Sequence, residues 1–169
     1  MFNLCSNRLL EEISKKVLTP PNLKTLNNTV IIYTLLPALG LCSKRLLGAS
    51  TKINQDSLAN KFENNPIDNL NQNLKNELMR AWEGIDNHLV VQLRYIDVTS
   101  IPFTLNSFVN GHSLVKEFSI FKASLPISER NLKLFNPFQI SRLLYSYSRV
   151  NMPNKKEIFS FTEKALLQF

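Results

Sequence analysis

The sequence predicts an all-α chain, most of it a short α-solenoid of antiparallel helix–turn–helix repeats about 35 residues long. Three observations point there. Prolines recur at Pro66, Pro102 and Pro137, 36 and then 35 residues apart, and each opens a pattern of helical period. Proline suits a first helical turn, where its missing N–H has no partner to lose. The side chains that follow also match in phase. Leu105, Phe108, Val109 and His112 stand 35 residues before Ile140, Leu143, Leu144 and Tyr147, with the i, i+3, i+4, i+7 spacing of one helix face. Finally, there are only 4 Gly against 11 Phe, which argues against a turn-rich β fold and against Gly-rich phosphate loops.

Taken in order, residues 1–18 have helical spacing, with Phe2, Cys5, Leu9, Ile13 and Val17 on one stripe, until Thr19-Pro20-Pro21 stops the pattern. An uncharged run follows, with its strongly apolar part at 30–41. Twelve apolar residues fall short of the ~20 that a membrane span needs. A buried core helix is the preferred reading of this run, and a single anchoring helix is the alternative. The first 60 residues hold seven Lys/Arg and three acidic residues, the manner of a mitochondrial targeting segment, although Glu11 and Glu12 depart from it. Residues 1–49 therefore form an N-terminal helical segment for targeting or docking. Residues 50–65 form a polar linker, and 66–169 form the repeat domain.

Within that domain, Asn65 and Asn136 stand before their prolines as candidate caps, and Gln139 is placed to reach back to Asn136. The first copy runs Leu70, Leu74, Leu78, Trp82, then breaks at Gly84 into Ile85, Leu89, Leu93. In the second copy, Leu114, Phe118, Phe121 and Leu125 form the returning helix; in the third, Ile158, Phe161 and Ala165 do. Asn110-Gly111 leaves open a β-hairpin in the middle copy. Such helix pairs bury their faces by stacking on one another.

Chemistry is sparse. His88 and His112 are the only histidines, and no nucleophile–base pair, paired carboxylates or metal-ligand spacing accompanies them. Cys5 and Cys42 read as reduced thiols. The expectation is a protein that is not an enzyme, with no cofactor and no metal. Charge says more. Net charge is +7, which favours phosphate-bearing partners or a place within a larger assembly. Residues 130–169 hold seven Lys/Arg against two acids. Arg142 and Arg149 lie two helical turns apart and share a face, Tyr145 lies near it, and Lys155 and Lys156 follow. Basic groups beside an aromatic suit a phosphate backbone and a stacked base. These five residues are the candidate RNA-binding set. An ordinary solvated helix face is the competing explanation.

The last copy, Phe135-Asn136-Pro137-Phe138-Gln139-Ile140-Ser141-Arg142-Leu143-Leu144-Tyr145-Ser146-Tyr147-Ser148-Arg149, resembles the first helix of the repeats in octotricopeptide and heptatricopeptide organellar RNA-binding proteins, which often accompany a RAP domain. Residues 135–168 fit the pattern, 101–125 fit loosely, and 66–97 fit only in phase. No RAP domain follows in this sequence. The resemblance implies a non-catalytic helical-repeat subunit of a mitochondrial ribonucleoprotein, associated with the ribosome. Its expected partners are RNA, ribosomal in kind, and neighbouring proteins of a larger organellar assembly. The alternative is a structural protein-binding subunit of a mitochondrial membrane complex, anchored through 30–41.

Overall fold

In a computed structural model of the chain, the described residues are 20–44, 66–150 except 113 and 116, and 155–167. Among them the architecture is all-helical, with no strand. The helix read over 1–18 and the linker read over 50–65 lie outside the described residues.

Seven helices follow in order among the described residues. They are α1 (Pro20–Thr25), α2 (28–44), α3 (Pro66–Gln92), α4 (Ile101–Val109), α5 (Ser119–Arg130), α6 (Pro137–Arg149) and α7 (Lys155–Leu166). Helix α2 contains a π-turn over Ile31–Leu35. The apolar run is a packed core helix: Ile31, Ile32, Leu36 and Leu39 are all buried. No helix among the described residues is long and apolar enough to cross a membrane.

Two expectations for the repeats need correction. Gly84 does not end a helix, because α3 runs unbroken through it. A mid-helix glycine costs about 1 kcal/mol against alanine. The burial of Trp82, Ile85 and Leu89 around it outweighs that cost. The first copy is therefore not a hairpin. In the second copy, Leu114 and Phe118 are buried but precede the helix, which starts at Ser119. The Asn110-Gly111 pair sits in a turn after α4 rather than between strands.

The recurring feature is a five-residue joint at each passage into α2, α4 and α6. Its copies are Leu23-Lys24-Thr25-Leu26-Asn27, Leu93-Arg94-Tyr95-Ile96-Asp97 and Leu132-Lys133-Leu134-Phe135-Asn136. In each, the fourth residue's N–H donates to the leucine carbonyl, at 3.2, 3.3 and 3.0 Å. The terminal Asn or Asp then caps the next helix, accepting from the backbone N–H of Thr29, Thr99 or Gln139 at 2.9, 3.1 and 2.9 Å. At Asn136 the expected capping box is complete, because its own N–H donates to Gln139 Oε1 at 2.9 Å. Four residues past each cap stands a buried isoleucine: Ile31, Ile101 and Ile140.

The caps Asp97 and Asn136 lie 39 residues apart, so α4 and α6 correspond at an offset of 39 rather than 35. In that register Ser107 meets Ser146 and Phe108 meets Tyr147, all buried. The two offsets differ by four residues, about one helical turn, so both keep the apolar phase.

Helix α4 lies along α6, α3 along α5, and α1 against α3, while α5 closes on α4 and α7 on α6. At the centre Trp82, Phe108 and Phe118 form a triangle, with ring centroids 5.3, 5.8 and 4.8 Å apart. Trp82 Nε1–H donates to Ser43 Oγ at 3.0 Å, joining α3 to α2. Gly111 passes directly under the indole. A Cβ there would stand 2.5 Å from Trp82 Cε2, so the requirement is for space. We predict that Gly111→Ala lowers stability by about 1–3 kcal/mol, the usual range for overpacking. A urea melt checks this, and an unchanged midpoint would show that the indole moves aside freely.

Further out, Tyr147 packs its ring against Phe121 and Phe161, at 6.1 and 5.5 Å. Its hydroxyl lies 3.2 Å from Ser124 Oγ. Burial pushes the phenol up to about 12.

Candidate nucleic-acid interface

The polar face of α6 is where the sequence-predicted basic residues meet aromatic ones. A residue advances 100° around an α-helix. Phe138, Arg142, Tyr145 and Arg149 therefore fall within an arc of about 60°, opposite the buried Ile140, Leu143 and Tyr147. Phe138 is 64% exposed and Tyr145 is 51% exposed. Arg149 is exposed as well, whereas Arg142 is half-buried.

Arg142 is held by rings on two helices. Its guanidinium lies 4.4 Å from the Phe138 centroid, one turn back on α6, and 5.7 Å from Phe103 on α4. Phe103 in turn stacks on Tyr33 of α2, with centroids 5.0 Å apart. The Tyr33 hydroxyl is 2.8 Å from Ser100 Oγ. Tyr33, Phe103 and Arg142 occupy the same place in three successive units, six residues past the caps Asn27, Asp97 and Asn136. They form a continuous row across α2, α4 and α6. Gln139 ties the row's α4 and α6 members together, its side-chain amide donating to the Thr99 carbonyl at 3.2 Å.

Of the five predicted RNA-binding residues, the structure brings Arg142, Tyr145 and Arg149 onto one strip of α6. Lys156 is exposed on α7. Lys155 opens α7, and its side chain lies outside the described residues. Sequence reasoning missed Phe138, Phe103 and Tyr33. Phe138 was legible, since it stands four residues before Arg142. The other two join the row only through tertiary packing. Phe103 and Tyr33 would have been found from the joint motif, whose cap sets the count to position six.

The histidines take quieter places. His112 lies half-buried in the turn after α4 rather than on a helix face. His88 lies mid-helix in α3, where burial first and then the charge of Lys24 pull its pKa down. The capping role belongs to its neighbour. Asp86 is buried and accepts from the N–H groups of Ser119 and Ile120, at 2.8 and 2.9 Å. It thus caps α5 from α3, because Phe118 at the cap position has no side chain that can.

The strip has the chemistry to pair phosphates through its guanidinium groups and to stack bases on Phe138 and Tyr145. No protein-family model, no curated protein sequence and no solved structure matches this chain.

Proposed function

We propose that this chain is a non-catalytic helical-repeat subunit of a mitochondrial ribonucleoprotein, associated with the ribosome, that binds single-stranded RNA along its α2–α4–α6 face. Its finer architecture in this reading is a short α-solenoid in which α2/α3, α4/α5 and α6/α7 are the stacked pairs. The three joints, with their shared hydrogen bond and cap, support the repeat. The resemblance of residues 135–149 to octotricopeptide and heptatricopeptide repeats supports the RNA partner and the organelle. The single observation that carries the reading is the alternating aromatic and basic strip Phe138–Arg142–Tyr145–Arg149, two of whose rings are more than half exposed.

The test is anisotropy titration of a mixed-sequence single-stranded RNA at several salt concentrations. Binding should weaken with salt, because each phosphate contact to a single strand contributes about −0.7 to the log–log slope. Arg142→Glu/Arg149→Glu should shrink the slope by about 1.4. Tyr145→Ala should cost about 1–3 kcal/mol of affinity if one base stacks there. Arg149→Glu alone touches no packed ring and guards against a folding defect. Affinity that ignores both salt and these changes would remove RNA from this face.

A further inference from the structure

The joints carry a second regularity on their outer side. The residue after each buried leucine is a cation, Lys24, Arg94 or Lys133, and all three are exposed. Among the described residues, none of the three donates a hydrogen bond or joins an ion pair. Arg94 merely lies over the neighbouring Tyr95 ring at 4.6 Å. Each joint links the C-terminal end of one of α1, α3 or α5 to the N-terminal end of the next helix, and α1 packs on α3 and α3 on α5. The three cations therefore sit at one end of the stack, one per unit. Packed helices lie about 8–10 Å apart, so the row is a regularly stepped line of positive charge. It lies off the α6 strip and uses none of its residues.

We infer that this edge is a binding site for the phosphodiester backbone of a single-stranded nucleic acid, one cation per unit. The identity of the strand as RNA rests on the function proposed above, whereas the row itself does not. A cation in the last turn also favours the helix C-terminal dipole. That role alone would affect stability and leave binding untouched.

The experiment compares the wild type with two triple variants: Lys24→Gln/Arg94→Gln/Lys133→Gln at the joints, and Lys44→Gln/Lys75→Gln/Lys122→Gln away from them. Both remove the same charge. Each protein is titrated with a single-stranded RNA 20-mer and with inorganic polyphosphate, which has phosphates but no bases, across a salt series, and is melted in urea. The joint variant should lose about 2 units of salt slope on RNA and roughly tenfold or more in affinity at low salt. It should weaken on polyphosphate too, while the second variant keeps most of both. Equal losses in the two variants would overturn the row in favour of net charge. RNA binding by the joint variant that equals the wild type would overturn the row and leave the α6 strip standing. Polyphosphate binding through the joints without RNA binding would support the row and overturn the RNA reading. Binding of neither polymer would overturn both.

Discussion

Replacing Trp82 with alanine should lower stability by about 3–5 kcal/mol, the range for emptying a large buried aromatic site, and should be the most damaging single change in the described core. Trp82 is fully buried. It contacts Phe108 and Phe118 through its ring faces, and Ser43 through its N–H. Truncation leaves a cavity between three helices and strips Ser43 Oγ of its donor. The close passage of Gly111 makes the effect diagnosable. In a double-mutant cycle, Gly111→Ala should cost clearly less in the Trp82→Ala background, because the methyl then enters the cavity. Chemical melts of the four proteins measure this. Additive losses would mean that the glycine and the indole do not share that space.

Removal of the Asp86 carboxylate should cost about 1–3 kcal/mol at neutral pH, since Asp86→Ala leaves the Ser119 and Ile120 N–H groups without their acceptor. The dependence on pH has a definite sign. Burial holds the Asp86 carboxyl above its ordinary value of 3.8, and the two amide bonds offset this only in part. The folded protein thus keeps a proton that the unfolded chain has already released. The associated stability is full below the unfolded value and is lost as pH rises through the folded one. Wild type should therefore exceed Asp86→Ala by a margin that widens as pH falls from 7 towards 4. Urea midpoints of the two proteins along that series decide it. A margin that narrows on acidification would show that the ionised carboxylate is the better-held form.

What the sequence revealed depends on how local each feature is. The helical class, the buried run at 30–41, the cap at Asn136 with its partner Gln139 and the anchoring role of Trp82 are all set by neighbours within a few residues, and all were readable. The register between α4 and α6 was not. A helix slid by one turn presents the same apolar face, so Pro102 and Pro137 served as landmarks when Asp97 and Asn136 were the true equivalents. Gly84 misled because propensity is weak beside the burial of Trp82, Ile85 and Leu89. The cap that Asp86 supplies to α5 spans 33 residues of chain, and nothing in the local pattern announces it. Among the candidate interface residues, Arg142, Tyr145 and Arg149 follow from helical spacing. Tyr33 and Phe103 join them only because three caps fix a common count.

The five-residue joint separates two jobs that many loops must perform together. Its first, fourth and fifth positions are occupied by burial and capping, as at Leu132, Phe135 and Asn136. The second and third, such as Lys133 and Leu134, face solvent. Thr25, Tyr95 and Leu134 differ completely in character at one position while the turn around them stays the same. Evolution can thus rewrite the outer rim of this protein, hinge by hinge, at almost no risk to the scaffold beneath.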